Sequence, residues 1–419
     1  MREISIPTKY KSQEISKIQK KSHNSFIDPT DLREIPISTI MPKPTRDSNI
    51  ELLRIIAMFL VLLVHTDFYS LGIPSTKHIT QQPLDSTLRF LVEALSIVCV
   101  NVFVLISGWF GIRPKAKGIC NFLFQCLFFS LGIYAVTLLI GTSKFSADGL
   151  LGCITLTRQN WFITAYLLLY ILSPILNAFV EHTPRHIFRN VLLAFFAFAC
   201  TYEWLGGTKY MIDGYSPLSF MGLYLLARYL RLYQPSLAKF SFSADLAIYF
   251  GIAIIATLYS LFGHHIIEVK EYPWWVYVCP TTILAALYLF LAFTKISIRN
   301  RFINFCGASS FAVFLLHTHP EVMSHFRTLF RDLHAELSPL PFWGCTLLIL
   351  VGIFGAAILI DQIRIFAWKK VLVATEKHFI NSEEANITKS QKATDSFFSS
   401  CADSEKPVRK TVLFISSKT

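Results

Sequence analysis

Ten apolar stretches of near-bilayer length constrain this chain more than any other feature. A helix needs about 20 predominantly apolar residues to cross the hydrocarbon core of a membrane. Such runs fall at roughly 50–69, 89–112, 118–141, 160–180, 187–205, 216–233, 244–263, 273–295, 304–321 and 342–367. The sixth is short and ends in Arg228 and Arg231, and the ninth is short before His317 and Pro320. Composition agrees. Of the residues 53% are hydrophobic and 16% charged, against about 25% charged in an ordinary soluble domain. The expected fold class is all-α integral membrane, with about ten transmembrane helices.

Positive charge orients such a bundle, because Lys and Arg accumulate in cytoplasmic loops. With the N-terminus inside, eleven cations fall in inner loops, among them Arg113, Lys115, Lys117, Arg185, Arg189, Arg228 and Arg231. Seven fall in longer outer loops. Both tails are basic near the bundle, so both termini are expected to be cytoplasmic. Three regions follow: a polar N-terminal tail (1–47), a ten-helix membrane domain (48–370) and a polar C-terminal tail (371–419), expected to be disordered. The first segment has no apolar core of a signal peptide, so export is expected to use the first membrane helix.

The formal charge of +12 is spent on tails and short loops, and no nucleic-acid partner is implied. The nine cysteines form no CxxC pair and mostly sit inside apolar runs, as small buried hydrophobes do. His264 and His265 are adjacent, but no carboxylate or thiol stands at ligand spacing to them, so no metal site is expected. No internal repeat is visible, which weighs against a transporter built on repeated halves.

Chemistry is most legible in the first run, ELLRIIAMFLVLLVH, residues 51 to 65. Arg54 and His65 are eleven positions apart, almost three helical turns. Both side chains therefore share one face, about 16 Å apart along the axis. Arg54 is either a snorkelling anchor paired with Glu51 or a functional cation. His65 is either an interfacial polar group, a helix–helix hydrogen bond or a reactive imidazole. Ionisable groups inside a membrane are costly and tend to be functional, and the shared face suggests a polar path. Elsewhere, Glu93 is expected to pair with Arg89 at i,i+4 spacing, and Asp361 with Arg364.

Four segments, in order, carry a family resemblance. They are the Arg54…His65 run, VNVFVLISGWF (100–110) with Ser107 and Gly108, NWFITAYLLLYILSP (160–174) with Trp161, Tyr170 and Pro174, and SSFAVFLLHTHP (309–320) with His317. The chain resembles acyltransferase family 3, bacterial integral-membrane acyltransferases that decorate cell-surface glycans, over about residues 47 to 370. The resemblance implies transfer of an acyl group, acetyl above all, from acyl-CoA to a hydroxyl of a polysaccharide or its lipid-linked precursor. It implies residence in the bacterial inner membrane and no bound cofactor, with acetyl-CoA as donor substrate. The catalytic base of the family maps onto His65, an imidazole suited to hydroxyl deprotonation near neutral pH. Arg54 takes the donor-side cation role.

One departure stands out. Many members carry an Arg-x-x-Arg element in the inner loop after the second helix, whereas this loop reads GIRPKAKG. Arg113, Lys115 and Lys117 are the cations left there to hold donor phosphates. His317, Trp161, Tyr170, Asn101 and Ser107 are expected around an acceptor cavity. Each has a plainer role beside that one: a helix-end hydrogen bond for His317, an aromatic belt for Trp161, close helix packing at Ser107-Gly108. The base either activates the acceptor hydroxyl directly or is itself acylated first. A transporter or flippase of lipid-linked sugars is the rival from another class. No feature of the sequence specifies an oligomeric state.

Overall fold

In a computed structural model, the described residues are 47–156, 161–263 and 274–402, with side chains described through 373. The tail 1–46, the loop carrying His264 and His265, and the side chains of the C-terminal tail lie outside them. Every regular element among the described residues is a helix. In chain order these are α1 (Ser48–Thr66), α2 (Phe68–Leu71), α3 (Thr76–Gln81), α4 (Pro83–Ser96), α5 (Cys99–Phe110), α6 (Ala116–Leu139), α7 (Ala147–Thr155) and α8 (Trp161–His182). Then come α9 (Arg185–Phe198, continued by a π turn over Ala199–Leu205), α10 (Pro217–Tyr233), α11 (Phe242–Phe262), α12 (Pro280–Thr294), α13 (Arg301–Ala308), α14 (Ser310–His317), α15 (Pro320–Glu336) and α16 (Pro339–Ala402).

Each of the ten expected segments contains helix. Six helical stretches are long and apolar enough to cross a membrane: Ser48–Leu71, Pro83–Phe110, Ala116–Leu139, Trp161–His182, Phe242–Phe262 and Pro339–Val373. Pro280–Thr294 and Arg301–His317 are apolar but shorter. Many large apolar side chains face outward, Leu139, Leu348 and Leu359 among them, as a lipid-facing surface requires.

The first helix is the hub. At its start the Ser48 hydroxyl bonds both the N–H and the C=O of Asn300, and the Asn49 amide donates to the Phe293 carbonyl at 2.7 Å. These side chains satisfy main-chain groups in the last turn of α12 and just before α13 that lack a helical partner. At its other end α1 stops at Asp67, whose backbone leaves the helical region (φ −81°, ψ −99°). The cause is a neighbour. Arg89 of α4 donates through Nε to Asp67 Oδ1 at 2.7 Å and through Nη2 to the Gly72 carbonyl. This corrects the expected Arg89–Glu93 pair: the guanidinium fork turns to the chain break, and the i,i+4 partner is passed over. Asp361 and Arg364 do pair, at 2.8 Å, and Gln125 of α6 also donates to Asp361 at 3.1 Å.

Close approach matters most at Gly108. A Cβ there would lie 2.5 Å from the Tyr224 carbonyl oxygen and 2.9 Å from the Ala227 Cβ. Only a residue without a side chain lets α5 and α10 come that near.

Candidate functional site

His65 occupies the last turn of α1, and His317 the last turn of α14. The two helices bring the rings together, with His65 Nδ1 2.8 Å from His317 Nε2. His317 is almost fully buried and its Nδ1 lies 2.6 Å from the Val313 carbonyl. A carbonyl only accepts, so Nδ1 of His317 carries hydrogen. For neutral rings, Nε2 of His317 is then the acceptor and His65 Nδ1 the donor. The tautomers follow from hydrogen-bond logic, and they leave His65 Nε2 with a free lone pair. Two imidazoles so joined share one proton between facing nitrogens, so one ring at most is cationic.

The break at Asp67 holds this turn open. The Ser70 hydroxyl donates to the His65 carbonyl at 2.5 Å, and the Ser70 carbonyl receives Arg331 Nε of α15 at 2.7 Å. The Arg327 guanidinium lies 5.1 Å from the centre of the Tyr69 ring, and that ring sits 5.3 Å from His65. Cation–π geometry of this kind docks α15 over the end of the first helix. Asp85 of α4 adds a clasp, accepting from His78 at 2.7 Å and His334 at 3.0 Å.

His65 lines a cavity of about 380 Å3, at the small end of ligand pockets. Its wall is aromatic: Trp161 opening α8, Tyr215 before α10, and Trp275 and Tyr277 before α12. Trp161 meets Tyr215 edge-on at 4.5 Å between ring centres, and Tyr215 meets Tyr277 at 4.9 Å. Burial, with the charge of Glu93 adding to it, pushes the Tyr215 phenol up to about 12. It is therefore a neutral donor at physiological pH. Glu93 of α4 reaches the same cavity, and nothing in its sequence context marked it beyond the expected pairing with Arg89.

The other candidates scatter. Asn101 is buried behind the wall, its amide donating to the Tyr277 carbonyl at 3.0 Å, so it fixes that wall and does not line it. Ser107 bonds the Phe103 carbonyl at 3.0 Å and the Tyr166 hydroxyl at 3.2 Å, which is helix packing away from the cavity. Tyr170 is a correction: it belongs to the opposite end of the site. Nine residues along α8 from Trp161, its hydroxyl accepts from the Lys115 N–H at 3.0 Å and donates to the Lys115 carbonyl at 3.2 Å. A helix rises about 1.5 Å per residue, which carries Tyr170 too far from the aromatic wall to join it.

That second locus is the loop between α5 and α6, which holds Arg113, Lys115 and Lys117. A ring of hydrogen bonds sets its backbone. The Ile112 N–H donates to the Tyr224 hydroxyl at 3.0 Å, which donates to Asn177 Oδ1 at 2.6 Å; the Asn177 amide donates back to the Ile112 carbonyl at 2.8 Å. With main-chain groups satisfied internally, the exposed cations project outward. Arg228 and Arg231 at the end of α10 join them. A Cβ on Gly111 would meet Arg228 Nη1 at 3.2 Å, and Arg231 donates to the Trp109 carbonyl at 2.8 Å. Sequence reasoning missed Tyr224 and Asn177, whose partners are main-chain atoms of other elements.

Arg54 lies three turns before His65 on α1. It pairs with Glu51 at 2.7 Å and stays about one-third exposed. Since α1 is unbroken from Ser48 to Thr66, Arg54 and His65 do lie on one face. No metal-binding group of His, Cys, Asp or Glu exists among the described residues.

No curated protein and no solved structure matches this chain. Residues 47–361, the bundle that holds both loci, match a family model described as an acyltransferase domain, and the chain belongs to that family, acyltransferase family 3.

Proposed function

We propose that this protein is a multi-pass enzyme of the bacterial inner membrane that moves an acyl group, acetyl in the first instance, from acyl-CoA to a hydroxyl of a surface polysaccharide or its lipid-linked precursor. The bundle then crosses the bilayer ten times, with Ser48 and both termini on the cytoplasmic side. The observation that carries the proposal is the His65–His317 pair, an imidazole with a set tautomer and a free Nε2 at the edge of an aromatic cavity.

In the direct mechanism, His65 Nε2 accepts the proton of the acceptor hydroxyl as the oxygen attacks the thioester carbonyl. The tetrahedral intermediate collapses, the carbon–sulfur bond breaks, and the CoA thiolate leaves. The imidazolium returns the proton to that thiolate, giving ester and free CoA. His317 is a positioning residue: its Nε2 holds His65 Nδ1–H, just as an orienting acceptor holds the base in other acyl-transfer sites. The basic loop with Arg113, Lys115 and Lys117, joined by Arg228 and Arg231, suits the phosphates of CoA. Arg54 continues that positive path along α1 toward the base, and the pantetheine arm follows it.

The test uses the full chain purified in nanodiscs, with acetyl-CoA and de-esterified surface glycan. His65→Ala is expected to abolish transfer while the protein still reaches the membrane. Full activity in that variant overturns the assignment. An acyl-histidine trapped after quenching with labelled acetyl-CoA alone would replace the direct route by the relayed one. A sugar transporter consumes no thioester, so an absence of CoA release with every glycan favours that rival.

A further inference from the structure

We propose that Glu93 is an acceptor-positioning residue, which receives a sugar hydroxyl next to the one that His65 deprotonates and so selects the hydroxyl that becomes esterified. This rests on the functional reading above and names a specificity element within that site.

Glu93 is 2% exposed and lines the cavity together with His65. Its nearest cation is committed elsewhere, since Arg89 donates to Asp67 and to the Gly72 carbonyl. The Phe68 N–H, a group freed by the break in the first helix, is near enough to act on the carboxyl group. Its Oε2 has no hydrogen-bond partner among the described residues. A buried oxygen left without a donor is costly, and native structures seldom keep one without a use. The same side chain stands in the wall of a cavity whose other members include Trp161, Tyr215, Trp275 and Tyr277.

That combination selects a ligand class. Aromatic faces accept the C–H faces of a pyranose, while a carboxyl group pairs with its hydroxyls. The positive charge of Arg89, near enough to act on Glu93, disfavours an ammonium group. A ring hydroxyl donates without bringing charge. With one hydroxyl held by Glu93, the sugar has fewer ways to offer another to His65 Nε2, and positional selectivity follows from orientation.

The test compares wild type with Glu93→Gln and Glu93→Asp, each as the full chain in nanodiscs, using acetyl-CoA and base-de-esterified surface glycan from the source cells. Glu93→Gln keeps the shape and exchanges an acceptor for a donor. Glu93→Asp keeps the carboxyl group and withdraws it by one methylene. The glutamine variant is expected to raise KM for glycan by about fivefold, the worth of one hydrogen bond, with KM for acetyl-CoA unchanged. Both variants are expected to spread the ester over more than one hydroxyl, read by NMR of the product. Unchanged glycan KM and an unchanged ester position in both overturn the proposal. So does an equal loss toward donor and acceptor accompanied by a lower melting temperature, which is a structural role. A wild-type protein that transfers nothing overturns the functional reading itself, and the proposal with it.

Discussion

Replacing His317 by leucine removes the acceptor for His65 Nδ1–H and leaves the aliphatic packing of α14 nearly intact. The donor is then stranded in a half-buried turn, 2.8 Å from where its partner stood. An orphaned buried donor costs about 1–3 kcal/mol. The ring can avoid that cost by turning or by moving its hydrogen to Nε2, and either move spoils the base. At about 1.4 kcal/mol per decade, kcat should fall by roughly 5- to 150-fold. KM for acyl-CoA should not move, because His317 lies away from the basic loop. His317→Gln restores an acceptor and is expected to recover up to about fivefold of the loss, the worth of one neutral hydrogen bond. The assay is initial-rate CoA release at saturating donor and glycan. An unchanged kcat in His317→Leu, or a loss confined to KM, refutes the orienting role.

Other residues give separate tests. Arg89→Ala leaves Asp67 buried without its cation and should destabilise the protein by about 3–5 kcal/mol, read as a lower melting temperature in detergent; Arg89→Lys should not rescue it, since an ammonium cannot reach Asp67 and the Gly72 carbonyl as a fork does. Gly108→Ala forces α5 off α10, because the new Cβ would lie 2.5 Å from the Tyr224 carbonyl oxygen; a loss of about 1–3 kcal/mol is expected in the same measurement. Tyr170→Phe frees the Lys115 backbone and should raise KM for acyl-CoA about fivefold at unchanged kcat, from roughly 1 kcal/mol of lost hydrogen bonding. A kcat effect with constant KM in that variant would detach Tyr170 from the donor end.

The membrane character and the helical segments were readable because lipid imposes a simple rule on composition and length. The shared face of Arg54 and His65 was readable because α1 has no break between them. What lay beyond reach depended on choices between partners. Arg89 has Glu93 one turn away on its own helix, yet it bonds Asp67, which arrives from another helix at the point where that helix ends. The motif that contains Trp161 also contains Tyr170, but nine residues of rise separate an aromatic cavity wall from a loop clamp. His317 was expected around the acceptor cavity, and the direct pairing with His65 required knowing that α14 packs beside α1. Tyr224 and Asn177 had no signal at all, since a side chain that serves another element's backbone leaves no pattern in its own neighbourhood.

The Val313 carbonyl at the end of the histidine pair has a consequence for energy coupling. A main-chain carbonyl neither stores a proton nor passes one on. The chain of donors from His65 through His317 is therefore a cul-de-sac rather than a wire. In the proposed direct mechanism, a proton lifted from a hydroxyl waits on the two rings until a thiolate takes it back, and each cycle would close its own proton account inside the bundle. An enzyme of this design can sit in an energised membrane, work across much of its thickness, and leave the proton gradient untouched.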